Sequence, residues 1–296
     1  MTIVIAGGTG FLGQKLVQRL ENAGHHVVIL TRSPHGPNQV QWTPDGNAGG
    51  LQKHLDGVDV VVNLAGEGIA DKRWSTKRKE ALRQSRLLST RTLARAIAEC
   101  ARPPRVLISG SGIGYYGAHG SEPVTENTPP GADFLARLCV EWEQEARAAE
   151  SPATRVTIVR TGLALDGQGG ALARMLPPFR LGLGATLGSG DQFMSWIHVD
   201  DWTSLVAWAI DTDRAPAALN ATAPAPVTNR EFTRTLGRVL RRPALFVAPA
   251  FVLQTALGEL ADALLTGQRA LPAVAEQLGF RFTYRTLEPA LRSLNL

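Results

Sequence analysis

The sequence predicts an α/β protein, a doubly wound parallel sheet with a small, mostly helical C-terminal cap. Three observations carry that prediction. Short β-branched runs alternate with helical patterns through the first 220 residues, and strict alternation gives parallel strands covered on both faces by crossover helices. A glycine-rich turn, "GGTGFLG" (7–13), joins the first strand to the first helix. The chain has 296 residues, enough to bury a sizeable core without disulfide or metal staples.

Taken in order, the strands are "TIVIA" (2–6), "HVVIL" (26–30), "VDVVVN" (58–63), "RVLIS" (105–109), "RVTIVR" (155–160) and "ALNAT" (218–222). Helices fill the intervals. Leu12, Leu16 and Leu20 share one face, and Leu82, Ser89, Leu93, Ala96 and Cys100 follow a near-heptad spacing. Two stretches break the rhythm: the glycine-rich Gly162 to Ser195, and everything after Pro224. Ligand-side excursions leave doubly wound sheets at the carboxyl ends of their strands. In the tail, Phe251 to Leu265 reads as one packed helix with Leu253, Leu257, Leu260, Ala261 and Leu264 on one face and Gly267 as its cap. Pro272 opens a short helix ending near Gly279, and "FRFTY" (280–284) alternates like a strand. The predicted organisation is a main domain over 1–240, with the excursion at 162–195 on its substrate side, and a cap over 241–296.

Composition excludes several classes. No apolar run reaches the roughly 18 residues of a membrane span, and the most apolar late stretch, "FVAPAFVLQTALGELADALL", is interrupted by Glu259 and Asp262. A strand at residue 2, with no basic region and no small-residue cleavage site, predicts no secretory leader and a cytoplasmic location. Two cysteines, Cys100 and Cys139, and six scattered histidines point to neither a disulfide framework nor a metal site. Between Lys72 and Arg95 lie nine basic residues against one acid, Glu80, in a chain of net charge +5. Such a run is a solvated helix face, a rim facing an anionic cofactor or substrate, or a nucleic-acid surface. No aromatic interleaving accompanies it. The expected partner is a small-molecule substrate, not nucleic acid or membrane, and the expected state is a monomer or homodimer.

The glycine turn carries the chemistry. Gly7, Gly10 and Gly13 directly follow a strand and directly precede a helix, the context of a Rossmann-type dinucleotide site. Gly7 allows the tight turn, Gly10 lets backbone approach a pyrophosphate, and Gly13 lets helix and strand pack closely. The helix N-terminus then offers unpaired N–H groups to the diphosphate. Thr9, Phe11 and Leu12 complete the candidate loop. No Gly-Lys-Ser/Thr follows, which excludes a P-loop. About 20 residues on, an NAD-selective site places an acid at the end of the second strand; here Thr31 is followed by Arg32. Arg32 would fork a 2′-phosphate, which favours NADP, the alternative being a solvent-facing loop arginine.

At this point the chain resembles the extended, atypical short-chain dehydrogenase/reductase superfamily, and within it an epimerase-like subfamily related to nucleoside-diphosphate-sugar epimerases. The resemblance rests on "GGTGFLG" (7–13), "NLAGEGI" (63–69), "SGSGIGYYG" (109–117), "RTGLAL" (160–165) and "WIHVDD" (196–201). It extends to Gly182–Gly184, Gly188–Gln192, Trp196–His198 and to Arg242, Pro243 and Pro249 before the short helical tail. The resemblance implies that Leu64, Ala65 and Gly66 run past the adenosine and diphosphate and that Arg86 is a further cofactor contact. It also implies that Ser109 and Ser111 end their strand beside the nicotinamide. Ser111 precedes Tyr115 by four residues, as the catalytic Ser or Thr precedes "YG" in extended members; a strand-end serine satisfying backbone groups is the alternative.

Active members of the superfamily carry a Tyr and, one turn later, a Lys on the helix after this strand, and the i, i+4 spacing puts both on one face. Here the helix follows Asp133, and "FLARLCVEWEQEA" (134–146) offers Leu135 with Cys139 or Phe134 with Leu138. Positions 135, 138, 139, 142 and 146 read as an apolar, core-facing stripe. Tyr115 and Tyr116 are the substitute acid/base candidates, with pocket lining as the alternative; Glu67 and His198 are further candidates for proton transfer or for a ligand-facing structural role. Two functions follow: an NADP-dependent epimerase-like oxidoreductase or isomerase on a small polar or nucleotide-linked substrate, or a non-catalytic NADPH-binding regulator.

Overall fold

The β-branched runs pair side by side. In the computed structural model, which describes residues 1–296, β1 (Thr2–Ala6), β2 (His26–Thr31), β3 (Gln39–Gln41), β4 (Val60–Asn63), β5 (Val106–Gly112), β6 (Arg155–Thr161) and β7 (Ala218–Ala221) form one sheet. All its pairings are parallel, in the order β7-β6-β5-β4-β1-β2-β3. The order reverses at β1. The chains leaving β1 and β4 therefore diverge and open a crevice at the carboxyl ends of the strands, where such sheets bind ligands.

The helices are α1 (Phe11–Asn22), α2 (Gln52–Leu55), α3 (Thr76–Ala98), α4 (Phe134–Arg147), α5 (Gly170–Arg180), α6 (Val199–Asp211), α7 (Asn229–Leu240), α8 (Ala250–Leu257), α9 (Leu260–Leu265), α10 (Ala273–Gln277) and α11 (Leu287–Ser293). Strand side chains alternate between faces. Ile3, Ile5, Val60 and Val62 pack with Leu16 and Leu20 of α1 and Trp202 and Leu205 of α6. Val4, Ala6, Val61 and Leu107 pack on the other face with Leu93 and Ile97 of α3 and Ala146 of α4. Each enclosed Val, Leu or Ile side chain among these stabilises the fold by about 1.5–3 kcal/mol relative to exposure. No helix is long and apolar enough to cross a membrane.

Six of the seven strands stand where the β-branched runs predict them. Gln39–Gln41 escapes that reading because it is a three-residue edge strand with two polar residues. The tail departs further. Phe251 to Leu265 is not one helix: Gly258 takes φ +61° and divides it into α8 and α9. Its first half is only partly packed: Leu257 sits against Trp74 and Leu82, but α8 has no fully buried residue and Phe251 is 70% exposed. Gly267 is not a left-handed cap; a Cβ there would strike the Phe193 backbone, so close approach explains it. "FRFTY" forms no strand, because the Thr283 and Tyr284 N–H groups donate to the Asp201 carboxylate at 2.9 and 2.8 Å instead of to a neighbouring strand. Pro272 does open α10, and Gly279 ends that turn with φ +88°.

A second core sits beyond the carboxyl ends of the sheet. Leu172, Leu176 and Phe179 of α5, Phe232 and Leu236 of α7, and Leu287 and Leu291 of α11 meet around Trp196. The 162–195 excursion and the C-terminal segment thus bury each other.

Candidate cofactor cleft and active site

The loop after β1 is shaped by what glycine lacks. Gly7 has φ +81°, and a Cβ on it would meet the Leu64 carbonyl carbon at 2.6 Å, so this loop lies directly against the one after β4. A Cβ on Gly13 would run into the Gly7 carbonyl oxygen and meet the Gly8 Cα at 2.8 Å, and its absence seats the first turn of α1 on the loop. Gly10 differs: its Cβ would meet only the Gly7 oxygen, at 3.3 Å, and otherwise open space. It is the N-cap of α1, with no side-chain cap and no acid in the first turn. The N–H groups of Phe11, Leu12 and Gly13 therefore end the helix unpaired, with the positive end of its dipole, which is the chemistry of an anion site. The Phe11 ring itself packs against Gly169 and Gly170, and Leu12 joins the core under α1.

In front of this loop lies a cleft of about 520 Å³. Gly7, Thr9 and Gly10 form its floor, Thr31 and Arg32 one end, and Leu64, Ala65 and Gly66 the wall towards α3. Arg32 is exposed at the carboxyl end of β2, with no ion pair to a carboxylate. Open space at Gly10, an uncapped helix N-terminus and a cation at the end of β2 together fit a dinucleotide bearing an extra phosphate. Trp42, Pro44, Ser85 and Leu88 also line the cleft. Sequence reasoning missed them, because they come from the short edge strand and from the inner face of a helix that reads as charged.

Two expected contacts stand behind the lining. Arg86 is 7% exposed; its guanidinium donates to the carbonyls of Glu67 at 2.9 Å and Leu82 at 3.1 Å and lies over the Trp142 ring. Burial pushes its pKa down, and it props the Gly66 stretch from below. Ser109 is fully enclosed, its hydroxyl meeting only the Gly110 carbonyl at 3.5 Å. Four of the seven basic residues on α3 pair with carboxylates: Arg78 with Glu67, Lys79 with Glu259 at 2.6 Å, Arg83 with Glu141 at 2.7 Å, and Arg91 with Glu145.

The carboxyl end of the sheet carries a polar rung. Ser111 of β5 stands in register with Arg160 of β6, and Arg160 with Asn220 of β7. Glu143 of α4 closes over them. Its carboxylate accepts from Ser111 Oγ at 2.8 Å and from Arg160 Nε and Nη2, both at 2.9 Å. Arg160 Nη1 donates to the Tyr116 hydroxyl at 3.0 Å, and that hydroxyl donates to Asn220 Oδ1 at 2.7 Å. Burial works against charge on Arg160, but the bonds to Glu143 outweigh it and hold the guanidinium protonated, above its ordinary pKa.

This rung separates the two tyrosines. Tyr116 is wholly buried, both functions of its hydroxyl are engaged, and burial pushes its pKa up to about 12. It is a structural member of the rung, which corrects its candidacy as the acid/base group. Tyr115 lies edge-on to Tyr116 with its ring face over the Arg160 guanidinium, 3.4 Å from Cζ to the ring centroid. It is half-buried, and its hydroxyl is not among the enclosed, unpartnered polar atoms.

On α4, capped by the Asp133 carboxylate accepting from Ala136 N at 2.8 Å, Leu138, Cys139, Trp142 and Ala146 are buried as the stripe predicts. Leu135 is only half-buried. Burial pushes the Cys139 thiol up to about 11, so it is not a nucleophile at neutral pH. Glu143, which sequence reasoning left out, lies on the same side of the helix one turn after Cys139. The other two proton-transfer candidates are engaged elsewhere. Glu67 lines the cleft but pairs with Arg78. His198 is buried, accepts from Asp200 N at Nδ1, meets Ser293 Oγ at Nε2 and stacks on Tyr284, so it anchors the C-terminal segment.

Comparison with known proteins agrees with this geometry. Residues 3–221 match the pattern of the NAD dependent epimerase/dehydratase family, and residues 248–294 match a second pattern described as a domain of unknown function, DUF1731. The chain is 42% identical to epimerase family protein Mb2239 of Mycobacterium bovis, over 98% of this chain and 96% of that one. It is similar to the crystal structure of human epimerase family protein SDR39U1 with NADPH, with a TM-score of 0.92 and 35% identity over 99% of both chains. The UDP-N-acetylglucosamine 4-epimerase of Bacillus cereus shares the fold, with a TM-score of 0.77 at 20% identity, covering 99% of this chain and 98% of that one. With a β1–α1 glycine cradle at the sheet's switch point and that pattern matched from Ile3 to Ala221, the chain belongs to the NAD-dependent epimerase/dehydratase family.

Proposed function

We propose that this chain is an NADP(H)-dependent epimerase-family oxidoreductase or isomerase acting on a small polar or nucleotide-linked substrate. The observation that carries the reading is the cleft itself: an open, uncapped glycine cradle beside Arg32, walled by Leu64 to Gly66 at the carboxyl end of β4. Gly10 and the first N–H groups of α1 hold the diphosphate, and Arg32 holds the 2′-phosphate. Leu64 to Gly66 form the wall against the adenosine side. When bound, the dinucleotide supplies hydride transfer at its nicotinamide. The human relative crystallised with NADPH supports the same choice of cofactor.

The chain's own acid/base work falls to Ser111 and Tyr115. Ser111 donates to Glu143, so its oxygen acts on a substrate hydroxyl as an acceptor. Tyr115 offers the phenol whose hydroxyl remains reachable. The second reading, a non-catalytic NADPH-binding regulator, is favoured by one observation: α4 carries no tyrosine and no lysine. Monitoring NADPH oxidation at 340 nm against a panel of aldehydes, ketones and oxidised nucleotide sugars separates the two. Turnover that drops by about two decades or more in Ser111→Ala and Tyr115→Phe supports the enzyme. Tight NADPH binding without turnover of any panel member supports the regulator.

A further inference from the structure

The missing pair on α4 leaves a physical gap. A phenol that is to exchange protons must be held still beside a fixed charge, and neither Leu135 with Cys139 nor Phe134 with Leu138 can do that. The polar rung lies one layer beneath, and three of its features go beyond what fold stability asks for. Arg160 and Glu143 form a two-pronged ion pair with side-chain exposures of 4% and 5%. Charge pairs this deep are weak evidence of stability, since apolar residues of similar size serve a core as well or better. The guanidinium has also spent its donors around its edge. Nε and Nη2 meet Glu143, Nη1 meets Tyr116 and, at 3.3 Å, the Glu126 carbonyl, and the flat face is left for the Tyr115 ring. Finally, the same Glu143 oxygen that takes Arg160 Nε takes the Ser111 proton. One carboxylate therefore fixes both the serine and the cation under the tyrosine.

We infer that Arg160, clamped by Glu143, is the positioning residue of the active site, presenting the Tyr115 phenol beside Ser111 and filling the place left by the tyrosine and lysine absent from α4. The inference rests on the reading that acid/base chemistry occurs at Ser111 and Tyr115. Neither Arg160 nor Glu143 touches the substrate; each acts through its neighbour. Register makes the arrangement possible, because Ser111 and Arg160 are cross-strand partners and their side chains leave the sheet on the same face, under α4. A planar guanidinium suits the task where a lysine does not: it can fork a carboxylate with one edge while stacking on an aromatic ring with its face.

The test uses Glu143→Gln/Arg160→Met, which removes both charges together and so leaves no buried charge unpaired, alongside Arg160→Lys. Three readouts are taken on the full chain. The first is the 19F resonance of Tyr115 in protein labelled with 3-fluorotyrosine, where the only other tyrosines are Tyr116 and Tyr284. The second is NADPH affinity with melting temperature. The third is kcat and KM for 9,10-phenanthrenequinone reduction, or for whichever panel carbonyl the unmodified protein turns over. The expected result is a displaced Tyr115 resonance, unchanged NADPH affinity and a kcat lowered about a hundredfold with KM little altered in the double variant, as for a misplaced reacting group. Arg160→Lys, keeping the cation, recovers part of kcat. An unmoved Tyr115 resonance, or unmodified kcat in a folded double variant, overturns the inference while leaving the proposed function standing. If the unmodified protein turns over nothing, the enzyme reading fails first and takes the positioning role with it.

Discussion

Arg32 and Gly10 make the residue-scale predictions. A charge-assisted contact from Arg32 to a 2′-phosphate contributes about 1.5–3 kcal/mol. Arg32→Ala is therefore expected to weaken NADPH by roughly one to two decades and NADH hardly at all, as read by fluorescence titration; equal losses for both would show that Arg32 does not meet the phosphate. Gly10 has φ −78°, a conformation open to any residue, and its Cβ position faces the cleft. Gly10→Val is expected to abolish NADPH binding at a near-native melting temperature. Both positions stand out in the sequence, Gly10 because a glycine-rich turn lies directly between a strand and a helix, and Arg32 because it follows the second strand where an NAD-selective site places an acid. Glu143 and Arg160 were not legible. A charged residue on an amphipathic helix or at a strand end reads as solvent-facing, and only the register of β5 against β6 brings Arg160 beside Ser111.

Among the elements, α4 decides whether chemistry stayed on the helix. Its thiol, pushed up to about 11 by burial, is almost entirely protonated at pH 8. Cys139 is therefore expected to resist Ellman's reagent in the native protein and to react only on unfolding; rapid native labelling of Cys139 at pH 8 would contradict its burial. Helix and strand positions were legible over the main sheet, since each apolar run is bounded by turn residues and each helix shows its period. The tail was harder to read. Leucines at 253, 257, 260 and 264 fit one helix by spacing, but Gly258 takes φ +61° and redirects the chain, and α8 keeps Phe251 and Val252 exposed. "FRFTY" has strand periodicity, yet a carboxylate from a distant helix captured its N–H groups. In both cases a single tertiary contact or turn overrode a local pattern.

Across the whole molecule, His198 ties the sheet domain to the C-terminal segment through Ser293 and Tyr284. Burial lowers its pKa below the ordinary 6.5, against the nearby Asp200, Asp201 and Asp166 charges, with Lys15 adding to the lowering. A histidine kept neutral by folding contributes stability above its unfolded pKa and loses it as pH falls through that value. The melting temperature is thus expected to drop as pH falls below 6.5, and to drop less in His198→Asn. Equal slopes in both proteins would remove His198 from the account. The same scale shows why the substrate was not legible: the second core is assembled from α5, α7 and α11, and what it leaves facing the cleft depends on packing between segments more than 100 residues apart. The central claim is that an NADP(H) cleft is retained while proton chemistry has left α4 for Ser111 and Tyr115. Its most direct test is the initial rate of NADPH oxidation with a panel carbonyl for the unmodified protein, Tyr115→Phe and Cys139→Ser. The account predicts a loss of about two decades in Tyr115→Phe and a retained rate in Cys139→Ser; a silent Tyr115→Phe, or a Cys139→Ser that loses activity at unchanged melting temperature, would contradict it.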